Sequence, residues 1–128
     1  MAGVRDEFAL YCSELLSVAG PVRVRRMFGG HGLYVDGLFV ALIADERLYL
    51  KVDATSHARF EAAGCQPFVY MAKGQPHSLN YFSAPDEAME SPALMAPWVR
   101  LAIEAALRAR ASQAARGRPR QRKPRAGA

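Results

Sequence analysis

The sequence predicts an α+β fold of two layers, in which helices pack on one face of an antiparallel sheet that consists of a meander and a hairpin. Three observations predict it: apolar residues recur at helical spacing towards both ends, short runs between them alternate apolar and polar residues, and tight-turn residues separate these runs. A chain of 128 residues has room for one core of this kind. We expect the domain to span residues 1–109.

The meander forms the first half of the predicted domain. A helix over residues 6–18 precedes it, because apolar side chains recur there every three or four residues before a Gly-Pro pair ends the pattern. Four strands are predicted from alternating or wholly apolar runs, at residues 22–27, 33–35, 38–44 and 47–52. The third run is apolar throughout, so we expect it in the centre of the sheet.

The hairpin and two short helical segments come next. The predicted strands are residues 67–71 and 78–83, because both are rich in apolar and aromatic residues and the stretch between them suits a hairpin loop. A short helix around Phe60 precedes these strands, and a helical turn at residues 85–89 follows them.

The last predicted helix begins at Ser91 and Pro92, a pair that is typical of a helix start. Pro97 lies inside its apolar run, and a proline in a helix interior removes one hydrogen bond and clashes with the preceding turn. We therefore expect the helix to break at Pro97 or to begin anew there.

A glycine cluster at Gly29, Gly30 and Gly32 lies between the first two predicted strands. Such a cluster indicates backbone with a positive φ angle or close approach of another group, and we predict a positive φ for at least one of the three. The cluster could also cradle an anion, but phosphate loops place their glycines before a helix, whereas a strand follows here, so we favour a structural bend. Asp36 and Gly37 predict a two-residue hairpin turn of the primed type.

No set of residues in the sequence specifies a reaction. The two cysteines, Cys12 and Cys65, are far apart and have no metal-ligand spacing, so we expect both to be buried apolar residues. Pairing of Cys65 with His77 as nucleophile and base would need a third, orienting residue that the sequence does not indicate. The three histidines are scattered, so we expect no metal. We also expect no cofactor, no catalytic residue and no enzymatic activity.

A binding patch on one exposed face of the sheet is a further hypothesis. The predicted strands contain polar or amphipathic groups that could converge there, namely Arg26, Tyr34, Lys51 and Tyr81. The alternative is an ordinary solvated face.

The formal charge of +5 is concentrated at the end of the chain. Residues 1–109 carry ten basic and twelve acidic side chains, whereas residues 110–128 carry seven basic ones and no acid. We expect this basic segment to be disordered, since it has little but alanine to bury. It could bind nucleic acid without sequence preference, or serve only to solvate the chain. The residues expected to contact phosphate are Arg116, Arg118, Arg120, Arg122, Lys123 and Arg125.

Two absences in the sequence bear on the location of the protein. No apolar run approaches the roughly 20 residues that cross a bilayer. No apolar signal segment follows the first charged residues. We therefore expect no membrane span and a cytoplasmic location.

One motif resembles a known family. It runs from Arg26 to Gly37 and reads RMFGGxGLYxDG, and a Leu-Tyr-Leu-Lys-Val-Asp run that begins at Leu48 follows it. These residues resemble the N-terminal domain of the TfoX (Sxy) family of competence regulators, and the similarity extends over approximately residues 5–109. The positions that match the family motif are Arg26, Met27, Phe28, Gly29, Gly30, Gly32, Tyr34, Asp36 and Gly37, with Lys51 and Tyr81 downstream.

The resemblance implies an α+β fold of the secretion-chaperone-like kind and a regulatory role. Family members of the regulator type promote expression of DNA-uptake genes together with the cyclic-AMP receptor protein. They also carry a second, C-terminal helical domain, and we expect the basic segment to stand in its place here. The resemblance implies no catalytic residues.

We therefore expect a cytoplasmic regulatory or interaction module, linked to competence or transcriptional regulation. Its expected contacts are a protein partner, such as a transcription regulator, or a second copy in a homodimer. The alternative is a small-molecule binder or an enzyme that uses a pocket on the sheet face near Gly29–Gly32. A pocket in which Arg26, Lys51 and Tyr81 converge would favour this alternative, whereas a flat or dimer-buried face would favour the module.

Overall fold

The computed structural model describes residues 4–27 and 29–117. The elements in chain order are α1 (Val4–Leu16), a 3₁₀ turn (Ser17–Ala19), β1 (Val22–Met27), β2 (Gly30–Val35), β3 (Leu38–Ala44), β4 (Arg47–Lys51), α2 (His57–Ala62), β5 (Pro67–Ala72), β6 (Gln75–Ser83), a 3₁₀ turn (Asp86–Glu90) and α3 (Pro92–Gly117). The strands form one antiparallel sheet in the order β1-β2-β3-β4-β6-β5. This confirms an α+β fold in which a meander continues into a hairpin.

The helices cover one face of the sheet. α3 packs on β3 and β4, and α1 packs on β1, β2 and α3. Leu33, Leu48 and Leu50 point towards these helices and are at most 2% exposed. Phe60 of α2 is fully buried, with its ring centroid 5.1 Å from that of Trp98 on α3. The core therefore lies between the sheet and the helices, as the two-layer prediction requires.

Two-residue turns close three of the hairpins, and each of the three has a positive φ at both residues. The φ angles are 50° and 81° at Asp36 and Gly37, 52° and 56° at Asp45 and Glu46, and 55° and 75° at Lys73 and Gly74. This is type I′ geometry, whose twist matches that of the strands on either side. The primed turn predicted from Asp36 and Gly37 is confirmed.

A β-bulge changes the alternation of β3. Leu33 of β2 lies opposite Ala41, and the next residue, Tyr34, lies opposite Phe39, so Val40 has no cross-strand partner. A bulge of this kind re-aims the side chains that follow it. It places Phe39 on the face that the helices leave open, beside Tyr34.

The prediction that the last helix breaks at Pro97 is wrong, because α3 continues through that residue. The missing N–H of Pro97 would have bonded the carbonyl of Ala93, one turn earlier. Ala93 and Pro97 are both exposed, so water can hydrogen bond that carbonyl. Met95 and Val99, on the opposite side of α3, are fully buried and hold the helix against the sheet.

α3 also crosses the predicted domain boundary and ends at Gly117. The structure thus differs from the expected disorder over residues 110–117, where alanine, arginine and glutamine favour continuation of a helix already anchored by packing. The remainder of the basic segment, residues 118–128, lies outside the described residues. No helix within the described ranges is both long and apolar enough to span a membrane.

One ion pair ties α3 to the loop between β4 and α2. Arg108 donates to both carboxylate oxygens of Asp53, from Nε at 2.6 Å and from a terminal nitrogen at 3.0 Å. The same carboxylate accepts backbone N–H groups of Thr55 and Ser56. The hydrogen bond from Arg108 is the main reason why the pKa of Asp53 lies below its usual value of 3.8.

Candidate functional site

The candidate site is the outer face, by which we mean the face of the sheet opposite the helices. Because successive strand residues alternate between faces, the partners of buried core residues fix which side chains belong to it. Besides the small residues Gly30, Ala44 and Ser83, they include Arg23, Arg25, Met27, Gly32, Tyr34, Phe39, Leu42, Arg47, Tyr49, Lys51, Phe68, Tyr70, His77 and Tyr81. The outer face is therefore aromatic and basic.

The aromatic side chains form two groups on the outer face. In the first, the rings of Tyr34 and Phe39 stack with centroids 5.0 Å apart, and Phe39 lies 6.0 Å from Tyr81. The second group extends along the hairpin, with centroid distances of 4.9 Å from Tyr49 to Phe68, 6.1 Å from Phe68 to Tyr70 and 5.5 Å from Tyr70 to His77. Aromatic rings thus follow one another from β2 across to β5.

A groove with a volume of about 510 Å³ runs between the two groups. Met27 from β1 lines it on one side, Phe68 and Tyr70 from β5 line it on the other, and Phe39 and Tyr81 lie between them. β1 and β5 are the two edges of the sheet, which would be about 24 Å apart across six flat strands. Residues of both edges line one groove, so the sheet curls and its outer face is concave.

Two glycines of β2 make this packing possible. A Cβ on Gly32 would lie 2.6 Å from Cε of Met27 and 2.8 Å from Cε1 of Phe39, so only glycine lets these two side chains meet over β2. A Cβ on Gly30 would lie under 3.0 Å from the backbone oxygen of Ile43. Gly29, in contrast, has open space around it and a φ of 77°, which confirms the predicted positive φ in the cluster.

The strands of the sheet carry a net positive charge. The six strands contain four arginines and one lysine and no aspartate or glutamate. Arg23, Arg25, Arg47 and Lys51 lie on the outer face, and the Lys51 ammonium sits 5.2 Å above the centroid of the Tyr81 ring. The acidic residues lie in the helices, turns and loops, so the outer face is basic although residues 1–109 are not.

Burial raises the pKa of one tyrosine on the outer face and of both cysteines. Burial, and to a lesser extent Tyr34, raise the pKa of Tyr81 to about 12, so its hydroxyl remains a hydrogen-bond donor at neutral pH. Burial raises the pKa of Cys12 to about 12. Burial and then Asp86 also raise the pKa of Cys65, so neither cysteine is a thiolate at neutral pH.

Comparison with known proteins identifies the family. A family model described as the TfoX N-terminal domain matches residues 14–106, which include all six strands. The chain belongs to the TfoX N-terminal domain family. A relative from Aliivibrio fischeri (strain ATCC 700601 / ES114), DNA transformation protein TfoX1, is 31% identical over 104 residues, which are 81% of this chain and 48% of the relative. This TfoX N-terminal domain thus spans about half the length of the curated relative it matches.

The structure brings together three of the four residues predicted to form a patch in this TfoX domain. On the outer face the ring of Phe39 links Tyr34 to Tyr81, and the Lys51 ammonium lies over the Tyr81 ring. Arg26 does not join them, because its cross-strand partner is His31, which is 7% exposed on the helix side of the sheet. The side chains on the outer face of β1 are instead those of Arg23, Arg25 and Met27.

The other predicted site residues of the TfoX domain lie in a turn, at the end of α3 or outside the described residues. Asp36 and Gly37 form the turn after β2, where the Asp36 N–H donates to the carbonyl of Pro21 at 3.0 Å. Phe28 lies outside the described residues, as do Arg118, Arg120, Arg122, Lys123 and Arg125. Arg116 belongs to the last turn of α3. Among the residues that the structure describes, no three His, Cys, Asp or Glu side chains are placed to hold a metal ion.

Sequence reasoning missed Arg23, Arg25 and Arg47 as members of the outer face. The signal was present: Val22 and Val24 face the core, so the arginines that alternate with them must face outwards. The formal charge of residues 1–109 concealed the basic outer face, because it adds the positive charges of the strands to the negative charges of the helices and turns.

Proposed function

We propose that this protein is a cytoplasmic, non-enzymatic regulatory module of DNA transformation that acts through contact with a protein partner, namely a transcription regulator. Membership of the TfoX N-terminal domain family and the similarity to DNA transformation protein TfoX1 support the process. The observation that supports action through a protein partner is the exposed, uncharged edge strand β5.

β5 is an edge strand whose protection is limited to the proline at its first position. Its sequence, Pro-Phe-Val-Tyr-Met-Ala, has no charged residue, and Val69, Tyr70 and Met71 are 50%, 40% and 66% exposed. The opposite edge, β1, carries three arginines, as edges that avoid pairing commonly do. An apolar edge with free backbone groups suits an extended segment of another protein, which would add a seventh strand.

A complementation test in the native host distinguishes loss of contact through β5 from loss of the whole protein. Deletion of the gene should reduce both transcription of DNA-uptake genes and transformation frequency, and the wild-type gene should restore them. The double variant V69K/M71K should fail to restore them, because charges on an edge strand block pairing. The matched control L10K/L94K changes two similarly exposed apolar residues on the helices and should restore both.

Two results would contradict the proposal. If deletion leaves uptake-gene transcripts unchanged, the protein is not a regulator of transformation. If V69K/M71K restores function as well as the control, the module does not act through β5. Sedimentation of the wild-type chain adds a further distinction, since a dimer that V69K/M71K converts to a monomer would mean that β5 pairs with a second copy.

The groove favours a second candidate, a small-molecule binder. Its volume of about 510 Å³ is within the range of ligand pockets, and its lining is largely aromatic and apolar. Native mass spectrometry of protein purified from its host under non-denaturing conditions tests this candidate. A bound molecule at one-to-one stoichiometry would support it, and a mass equal to that of the bare chain would count against it.

The basic segment supports an additional, separate proposal. Phosphate contacts by Arg116, Arg118, Arg120, Arg122, Lys123 and Arg125 would give weak binding that is indifferent to sequence and steeply salt-dependent, with a log–log slope of about −0.9 for each phosphate contacted on duplex DNA. Replacement of all six by glutamine in the full chain should abolish this binding. Equal duplex binding by that variant would mean that the folded part contacts duplex DNA.

A further inference from the structure

We propose that the outer face binds single-stranded nucleic acid, with bases stacked on its aromatic rings and phosphates held by its strand cations. This inference goes beyond the proposed function. It assigns a ligand to the outer face and leaves the β5 edge to the protein partner.

The aromatic rings indicate unpaired bases. Phe39, Phe68 and Tyr70 line the groove, and Tyr70 remains 40% exposed. A base can stack on such a ring whatever its identity, because every base has a π-face. Bases within a duplex are already stacked on their neighbours and cannot enter a groove of about 510 Å³. Sheet faces with aromatic side chains at alternating strand positions are accordingly suited to single strands.

The cations of the outer face are arranged around the aromatic rings. Arg23 and Arg25 lie on the edge strand β1, opposite Tyr34 and Gly32 respectively. Arg47 and Lys51 lie on the central strand β4, on either side of Tyr49. A nucleic-acid strand whose bases enter the groove would therefore have basic side chains for its phosphates on β1, at one edge of the groove, and on β4, between that edge and β5. No acidic side chain occurs in any of the six strands to oppose this.

Charge also argues against other occupants of the outer face. A second copy packed face to face would bring four cations against four like charges. The chain's own residues 118–128 contain five basic residues and no acid, so the outer face repels them. A peptide with acidic side chains alone would satisfy the cations but would leave the aromatic rings without partners. A nucleic-acid strand supplies both the anionic groups and the flat rings that the outer face is built to contact.

Fluorescence anisotropy with the full chain tests the proposal. The probes are a fluorescein-labelled 15-mer of deoxythymidine, a 15-mer of uridine and a 15-base-pair duplex, all at the same salt concentration. Binding by the basic segment would favour the duplex, whose phosphates are more densely spaced. We expect the wild type to bind the single strands at least about five-fold more tightly than the duplex. Equal affinity or a preference for the duplex would overturn the proposal.

Two pairs of variants locate the binding. R25E/R47E should weaken single-strand binding about ten-fold or more, because each arginine loses a charge-assisted contact. The control R59E/R100E makes the same charge change at exposed positions of α2 and α3 and should stay within about two-fold of wild type. Y70A should lose about five-fold to 100-fold from one stacked base, whereas Y70F should keep wild-type affinity.

Three outcomes would overturn the proposal. The first is an equal effect of R25E/R47E and R59E/R100E, which would place binding in the overall charge. The second is equal affinity of Y70A and Y70F, which would exclude stacking on β5. The third is a labelled polyglutamate peptide that binds as tightly as the single strands, which would mean that the outer face recognises charge alone. None of these depends on the transformation phenotype, so this inference and the proposed function fail independently.

Discussion

Replacement of Gly30 by alanine should be the most damaging single-methyl change in the glycine cluster. The added Cβ would lie under 3.0 Å from the backbone oxygen of Ile43 and 3.2 Å from its carbonyl carbon. Backbone cannot rotate away as a side chain can, so β2 and β3 would have to separate. β3 is held by β4 on its other side, and β2 is held by β1. We therefore expect a loss of about 3 kcal/mol or more in the free energy of unfolding.

Two neighbouring glycines provide matched controls for this prediction. Gly29→Ala meets no atom within 4 Å and bears only the strain of a φ of 77°, so it should lose about 1–2 kcal/mol. Gly32→Ala meets two side chains, of which the end of Met27 is flexible, so its loss should lie between the other two. The order of destabilisation should thus be Gly30, Gly32 and then Gly29.

Urea unfolding followed by circular dichroism and by the fluorescence of Trp98 measures this order. Trp98 is the single tryptophan and packs on Phe60 in the core, so its signal reports the loss of packing between α3 and α2. The midpoints should fall in the stated order while the m-value stays constant, which indicates unchanged exposure on unfolding. A Gly30→Ala protein as stable as Gly29→Ala would refute the close approach of β2 and β3 at this point.

Further predictions concern the core, the ion pair and the cysteines. Phe60→Ala should cost about 3–5 kcal/mol, because the ring is fully buried, whereas the exposed Leu107→Ala should stay within about 0.5 kcal/mol of wild type by the same urea assay. Arg108→Gln should lower Tm at neutral pH relative to the control Arg110→Gln. Since the folded-state pKa of Asp53 is depressed, this stabilisation is present above pH 3.8, and the Tm difference should vanish as the pH falls through the folded-state pKa. A thiol reagent should label both cysteines in urea but should not rapidly label Cys12 in the native protein at pH 8, where its thiol is protonated and buried; rapid native labelling would contradict its burial.

The sequence specified the elements of this fold well because their signals are local. The alternation of β1 and β4, the Asp36–Gly37 turn and the apolar stripe of α1 each depend on a few adjacent residues. The continuation of α3 through Pro97 was not predicted, because the effect of that proline depends on whether the carbonyl of Ala93 faces water. That fact follows from how α3 lies on the sheet, which no short stretch of sequence determines.

The candidate site was harder to predict because it depends on register and curvature. The hypothesis from the sequence placed Arg26 in the patch. Successive side chains of a strand lie on opposite faces, however, and on β1 the outer face carries Arg23 and Arg25. Phe39 reaches the outer face only through the bulge at Val40. The groove itself exists because the sheet curls until Met27 and Tyr70 line the same space. Curling is a property of six strands together.

The separation of charge between the two layers has a consequence for how a ligand would approach. Residues 1–109 carry more acidic than basic side chains, so a distant polyanion experiences no net attraction to that part of the chain. Close to the outer face, however, Arg23, Arg25, Arg47 and Lys51 act without acidic neighbours in the strands, and salt screens charges beyond about 10 Å at 0.1 M. Attraction to the outer face is therefore short-ranged, and stacking on the rings must supply the rest of the affinity. Single-strand binding should accordingly depend less steeply on salt than binding by the basic segment, whose phosphate contacts are all electrostatic.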